Sequence, residues 1–380
     1  MTSALQVIGW PFVGSRPIAG ETVPGGWAVL FIAHPGARPA RIVEQHRSGY
    51  VVAEAPDDGY PAESLPEWQR AGNYRKGGID PESRPAVGDW VLVEGEGGAA
   101  RIVALLPRYS AVKRAAAGEH YKQQLIAANV DTVFVVCGLD DDFNPRRIER
   151  YLLLVRSGGA EPVVVLTKAD RAEAGRQGAV ADAVAGLGDL GLEGLAVVPV
   201  NARDPSSVDA LADWLHPGRT VVLVGSSGAG KSTLTNSLFG NERMKTGAVR
   251  ERDSRGRHTT THRALVALPS GACLIDTPGM RELKPTGEED VTENFSDIEA
   301  LAATCRFRDC AHGKEPGCAV RAAIESGVLD AERFANYRKL SDEVAGAAAT
   351  LAERRVEQKA RGRDQSRTLN RRLDEKYGRH

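Results

Sequence analysis

Apolar runs recur along the middle of the chain at Val130–Cys137, Pro162–Leu166, Ala196–Val200 and Thr220–Val224, with stretches of helical spacing such as Pro145–Arg156 between them. Short apolar runs read as strands buried on both faces, so this alternation predicts an α/β unit with a mostly parallel sheet and helices on both faces. Upstream the pattern is different. Short β-like stretches at Trp27–Ala33, Arg41–Val43, Tyr50–Ala53, Asp89–Val93 and Ala100–Leu106 are divided by Gly- and Pro-rich turns, which suits a small barrel of about five strands. The polar segment Pro56–Pro85, with Arg70, Arg75, Lys76 and Arg84, reads as an extended barrel loop. Residues 1–24 show no periodicity and read as an irregular arm, residues 290–340 as helical, and the chain beyond Leu351 as a charged tail with Arg354, Arg355, Lys359, Arg361 and further basic residues to Lys376.

A chain of 380 residues exceeds one ordinary core and suggests two or three domains. Its 42% hydrophobic and 26% charged residues are those of a globular protein. The net charge of −1 excludes a polycation, so any nucleic-acid contact must come from local basic patches. Met1–Gly20 lacks a basic start followed by a long apolar stretch, so no secretory leader is expected. The longest apolar run, around Val130–Leu139, is far short of the roughly 20 residues that span a bilayer. No membrane contact and a cytoplasmic location are expected.

The nine residues Gly225-Ser226-Ser227-Gly228-Ala229-Gly230-Lys231-Ser232-Thr233 fit G-x-x-x-x-G-K-[ST] between the expected strand Thr220–Val224 and a helix expected to open near Leu234. In that context the glycines let backbone N–H groups curl around phosphate oxygens, and the helix N-terminus adds its positive end. Lys231 is expected to reach the β- and γ-phosphates, and Ser232 to bind Mg2+. Asp276-Thr277-Pro278-Gly279 ends the expected strand Ala272–Ile275. Asp276 suits Mg2+ through a water, and the Gly279 N–H suits a γ-phosphate that it would lose on hydrolysis. D-x-x-G alone is a common turn; it gains weight about 45 residues after a phosphate loop. Between the two motifs Thr259, Thr260 and Thr261 offer a hydroxyl to complete the Mg2+ shell, with Thr260 preferred and Thr259 the alternative.

Thr167-Lys168-Ala169-Asp170 follows the run Pro162–Leu166. A carboxylate there can accept from both N1–H and the 2-amino group of guanine, a donor pair that adenine lacks. The Lys168 stem would pack over the purine. The usual GTPase pattern is Asn-Lys-x-Asp, and Thr167 departs from it while keeping a hydroxyl able to bond the neighbouring phosphate loop. Pro199-Val200-Asn201-Ala202 is similar to the Ser-Ala loop whose backbone N–H meets guanine O6, with Asn201 in place of Ser. In ordinary GTPases the base motif follows the switches; here Asp170 precedes Lys231. In that order the chain resembles the circularly permuted GTPases, and specifically the ribosome small subunit-dependent GTPase A family. Val87-Gly88-Asp89-Trp90-Val91, Ala128-Asn129-Val130-Asp131, Arg257-His258-Thr259-Thr260-Thr261, Phe307-Arg308-Asp309-Cys310 and Tyr337-Arg338-Lys339-Leu340 carry the same resemblance.

The resemblance implies an N-terminal OB-fold β-barrel over 25–112 after an arm over 1–24. It implies a circularly permuted P-loop GTPase domain over 113–285, a helical zinc-binding domain over 286–345 and a basic tail over 346–380. It also implies hydrolysis of GTP to GDP and phosphate, stimulated by the small (30S) ribosomal subunit during that subunit's late maturation, with contacts to its rRNA; a monomer is expected. Met280 stands where many GTPases place the glutamine that orients the attacking water, so a low intrinsic rate is expected. By the same resemblance His258 is the candidate replacement, beside Lys231 and Thr260 as the other catalytic candidates.

Of five cysteines, Cys137 and Cys273 read as small core hydrophobes. Cys305-x4-Cys310-x-His312-x5-Cys318 offers three thiolates and one imidazole within 14 residues. That set suits one structural, tetrahedral zinc with no open position for catalysis, and it matches the family's knuckle. Arg306, Arg308, Lys314 and Arg321 surround the cluster. The barrel insertion, the zinc region and the tail are candidate rRNA contacts, although a basic tail is equally read as a solvated helix. Two alternatives remain from the residues alone: a P-loop kinase of a small molecule, which would need an acceptor pocket and a lid and would leave Asp170 and the threonines without purpose, and an RNA-binding scaffold with a silent nucleotide site.

Overall fold

The computed structural model describes residues 3–12, 26–46, 49–69, 83–115, 123–188, 194–240, 263–276, 285–350 and 352–353. Two short helices open the chain, α1 (Ala4–Val7) and α2 (Trp27–Ala33). Five strands follow: β1 (Arg38–His46), β2 (Gly49–Ala53), β3 (Gly59–Ala62), β4 (Trp90–Glu94) and β5 (Arg101–Leu105), with the single turn α3 (Pro66–Gln69) after β3. β1 pairs with β2 and β4, β2 with β3, and β4 with β5, all antiparallel. Glu63 closes the ring between β3 and β5: its N–H donates to the Ala100 carbonyl at 2.9 Å, and its carbonyl accepts from Ile102 at 2.8 Å. Alternate residues Ala40, Ile42, Val52, Val91, Val93 and Ile102 fill the inside.

Two expectations change here. Trp27–Ala33, read as a strand, is helical; Trp27 and Phe31, four residues apart, both face the core, as one helical stripe requires. The missing strand comes instead from the polar stretch expected to be loop, as β3, while Arg70, Arg75 and Lys76 lie outside the described residues. Within the stretch read as an irregular arm, Ile8, Trp10 and Phe12 are buried, and the Trp10 ring stacks on Trp27 at 5.3 Å and meets Trp90 edge-on at 4.8 Å.

A paired β6 (Ala111–Ala115) and β7 (Gln123–Ala128) leads into the sheet unit. Its elements are β8 (Thr132–Gly138), α4 (Pro145–Arg156), β9 (Glu161–Thr167), α5 (Ala169–Gly175), α6 (Ala179–Gly188), β10 (Ala196–Pro199), α7 (Pro205–Val208), β11 (Thr220–Val224), α8 (Lys231–Phe239), β12 (Ala264–Ala267) and β13 (Cys273–Asp276). The strand order is β10-β9-β8-β11-β13-β12, parallel throughout except for β12, and a single register point, Glu44 opposite Ala264, joins β12 to β1. Val133, Val135, Val164, Leu166, Val222 and Val224 enter one core, and their chain neighbours Phe134, Val136, Val163, Val165, Val221 and Leu223 enter the other. Apolar side chains at every position follow from covering both faces.

Arg41, on β1, is fully buried where barrel and sheet meet. Its guanidinium donates to the Ile8, Gly88 and Asn129 carbonyls and to the Thr220 hydroxyl (2.8 Å) at the start of β11. At the other side, α9 (Val291–Asn294), α10 (Ser296–Ala302), α11 (Ala319–Glu325) and helical residues 331–350 pack onto α4 through Leu153, Phe295, Ile298 and Leu340. Glu149 of α4 is 1% exposed and takes bonds from Arg333 and from Asn336 (2.6 Å); Arg333 also forks onto Asp297 at 2.8 and 2.9 Å. Burial pushes the Glu149 carboxyl up from its ordinary value, while Arg333 and Arg146 pull it back down. Among the described residues, no helix is long and apolar enough to cross a membrane.

Removing the Arg41 guanidinium takes a donor from four buried oxygens at once; the Asn129 carbonyl keeps the Tyr109 hydroxyl (2.9 Å) and the Gly88 carbonyl keeps the Asn129 side-chain amide (3.1 Å). Arg41→Ala is expected to lower unfolding free energy by about 3 kcal/mol or more; a urea-unfolding loss below about 1 kcal/mol would show the joint to be incidental.

Candidate nucleotide site and metal centre

β11 ends at Val224 and the Gly225–Gly230 loop runs into α8. The register explains the first glycine: β11 stops opposite Val135 while β8 continues to Gly138, so the loop must leave β11 against the β8 backbone. A Cβ on Gly225 would lie 2.1 Å from the Val136 carbonyl, and its φ of +147° is one that side chains rarely adopt. Gly230, at φ +94°, is pressed against Thr167, whose hydroxyl a Cβ would meet at 3.0 Å. Lys231 folds over the loop and donates to the Gly225 (2.7 Å) and Ser226 (2.5 Å) carbonyls. Ser227, Gly228 and Ser232 are exposed, Thr233 is half-buried and Ala229 is buried.

The base-loop residues leave the same edge of the sheet. Thr167, fully buried at the end of β9, donates its hydroxyl to the Ala229 carbonyl at 2.6 Å, which is the bond to the phosphate loop expected of it. Lys168 sits at φ +62°, turning the chain so that Ala169 and Asp170 open α5; Asp170 is exposed in its first turn. After β10, the Val200 carbonyl accepts from Ala169 at 3.3 Å, the Asn201 N–H donates to the Ser207 hydroxyl at 2.8 Å, and the Ala202 carbonyl accepts from Ser237 of α8 at 2.5 Å. Asp276 ends β13, beside β11 and parallel to it, and is exposed. The loops around Asp170, Asn201, Lys231 and Asp276 therefore share one edge, with exposed hydroxyl and carboxylate oxygens from Ser232 and Asp276 of the kind a hard divalent cation takes. His258, Thr259, Thr260, Gly279 and Met280 lie outside the described residues.

Sequence reading did not single out Asp140 and Asp142, in the loop after β8. Asp142 accepts the Ser226 hydroxyl and Asp140 pairs with Lys168. The signal was available as three consecutive aspartates at the end of an expected strand on the ligand-bearing edge.

The four metal-cluster residues meet in space. Their ligand atoms lie within 4.8 Å of one another. Cys305 Sγ is 3.6 Å and Cys318 Sγ 3.5 Å from His312 Nδ1, and the two sulfurs are 4.0 Å apart. Tetrahedral zinc bonds of about 2.3 Å to sulfur and about 2.0 Å to nitrogen imply separations of about 3.5 to 3.8 Å, so the set fits one zinc. His312 reaches inward from a φ of +60°, and Cys318 caps α11 by accepting from the Arg321 N–H at 3.4 Å. Arg306, Phe307, Arg308 and Lys314 are exposed around the cluster, with the Arg306 guanidinium 5.6 Å from the Phe307 ring centre.

A family model described as RsgA GTPase matches residues 105–286. A protein of Xanthomonas axonopodis pv. citri (strain 306), named small ribosomal subunit biogenesis GTPase RsgA, is 64% identical over 360 residues, covering 94% of this chain and 93% of its own. A protein of the same name from Xanthomonas campestris pv. campestris (strain B100) is 65% identical over the same shares. Among solved structures, YloQ, described as a circularly permuted GTPase, is 25% identical with a TM-score of 0.55 and covers 82% of this chain and 96% of its own. YjeQ from Thermotoga maritima shares the fold at 23% identity and a TM-score of 0.57, covering 82% of this chain and 99% of its own.

Purified without chelators, the protein is expected to hold about one zinc per chain. Cys305→Ser or Cys318→Ser should bring that below half, and acidification should release the metal as the thiolates protonate. Metal analysis that finds full zinc in both variants would contradict the assignment.

Proposed function

The chain belongs to the RsgA GTPase family and is a GTP hydrolase, and from that premise we propose that it serves in the cytoplasm as an assembly factor of the small (30S) ribosomal subunit. The names of the relatives at 64% and 65% identity support the subunit as partner. The observation that carries the reading on this chain's own residues is the Thr167 hydroxyl on the Ala229 carbonyl, which ties the base loop to the phosphate loop despite their reversed order in the chain.

In this reading Asp170 accepts from the N1–H and 2-amino groups of guanine, Lys168 lies along the purine, and the backbone at Asn201 and Ala202 meets O6. The amides of Gly225 to Thr233 wrap the phosphates, and Lys231 exchanges its loop carbonyls for the β- and γ-phosphates. Ser232, Asp276 and Thr260 (or Thr259) hold magnesium. Magnesium, when bound, offsets the charge that develops between the β- and γ-phosphates. Gly279 senses the γ-phosphate, and His258 orients the attacking water in place of the glutamine that Met280 replaces. The chain divides into an OB-fold barrel over 25–112, the permuted GTPase over 113–285 and the zinc domain over 286–345. Basic groups on the barrel insertion, the zinc surface and the tail over 346–380 supply rRNA phosphate contacts, with salt-dependent affinity. The relatives' common name as GTPases disfavours the kinase and silent-site alternatives.

GTP turnover with and without small subunits tests the reading. Subunits should raise it about tenfold or more, and Lys231→Ala should abolish it. No turnover in either condition would leave a silent site, and ATP-dependent phosphorylation of a small acceptor would make the protein a kinase. His258→Ala should lower subunit-stimulated turnover by about 10²-fold with GTP affinity retained; unchanged turnover would remove His258 from the mechanism.

A further inference from the structure

The loop joining β8 to α4, residues 139–144, has no role in the reading above, yet its carboxylates grip both halves of the nucleotide site. Asp142 accepts the hydroxyl of Ser226, the second residue of the phosphate loop. Its other carboxylate oxygen is held at 2.6 Å by Arg147 of α4, which also donates to the Asp142 backbone carbonyl. Asp140 pairs with the Lys168 ammonium, and its second oxygen accepts from the Asp142 N–H at 3.2 Å. The Lys168 bond holds the Asp140 carboxyl below its ordinary value. The Leu139 N–H donates to the Thr167 carbonyl at 2.9 Å, so the loop is also tied to the base-loop backbone. Gly138 leaves room for this packing: a Cβ there would lie 2.7 Å from Asp140 Oδ1 and 3.0 Å from Lys168 Nζ.

A carboxylate beside a phosphate site repels its ligand unless its charge is offset. Here each is offset, Asp142 by Arg147 and Asp140 by Lys168. What remains is mechanical. Ser226 is held by Asp142 through its hydroxyl and by Lys231 and, at 3.4 Å, the Ala229 N–H through its carbonyl; once Lys231 turns to phosphate, Asp142 is the side-chain hold that stays. Lys168 sits at a left-handed backbone angle that costs on the order of 1 kcal/mol, and Asp140 fixes the far end of its side chain.

We propose that Asp140 and Asp142 are positioning residues with divided tasks: Asp142 sets the phosphate loop through Ser226, and Asp140 sets the base loop through Lys168. The proposal rests on the guanine-nucleotide reading of the site.

The test is the affinity of the full-length protein for GDP and for IDP, which lacks the 2-amino group, in the parent and in Asp140→Ala and Asp142→Ala. Melting temperatures measured without nucleotide check folding. The parent should prefer GDP. Asp142→Ala should weaken GDP and IDP equally, by about tenfold, leaving their ratio unchanged. Asp140→Ala should weaken GDP more than IDP and bring the ratio toward one. Ser226→Ala removes the Asp142 contact from its other side, so it should reproduce the Asp142→Ala loss and add nothing to it in the double variant; Lys168→Met should do the same for Asp140→Ala. Variants that bind like the parent, or that change the GDP to IDP ratio alike, would overturn the division of tasks. A parent that shows no preference for GDP over IDP would instead overturn the guanine reading beneath it.

Discussion

Five strands that run the same way, β10, β9, β8, β11 and β13, determine where everything else in the site can be. In a parallel sheet each strand's C-terminal end faces the same edge, so the loops that follow share one crevice whatever their order in the chain. The permuted order of motifs is therefore compatible with a single site. The register adds detail. Because β11 ends three residues short of β8, the phosphate loop has to turn across the β8 backbone, and only glycine at 225 allows that passage.

The sheet is joined to its neighbours by buried polar groups as well as by apolar packing. Arg41 gathers oxygens from the N-terminal segment, the barrel, the chain after β7 and the start of β11. Glu149 and Arg333 do the corresponding work between α4 and the helices around the Cys/His cluster. Such groups add little net stability compared with well-packed hydrocarbon, but each tolerates only one arrangement of its partners. α4 is placed between the two ends of the chain's chemistry: its first turn holds Asp142 through Arg147, and its middle carries Glu149.

Much of the sheet was legible because strands buried on both faces write continuous apolar runs, as at Val133–Cys137 and Val163–Leu166. Trp27–Ala33 reads as a strand because seven apolar residues suit a strand or a buried helix equally, and the packing of both Trp27 and Phe31 on Trp10 decides for the helix. β3 was hidden because it is short, carries Gly59 and Pro61, and pairs along its length only with β2, where a proline is tolerated. The aspartate run at Asp140–Asp142 is visible in the sequence, but the partners of Asp140, Asp142, Arg41 and Glu149 were hidden because they include residues 28, 84, 179 and 184 positions away.

The amino-acid sequence alone determined which loops have the residue types of phosphate, base and metal motifs, because each motif depends on residues set a few positions apart: the glycines before Lys231, the carboxylate of Asp170, the thiols around His312. Tertiary structure alone decided which of those loops meet. The hydrogen bond from Thr167 to Ala229 and the carboxylate grips on Ser226 and Lys168 form only after strand order and register are set, and these depend on packing between residues far apart in the chain.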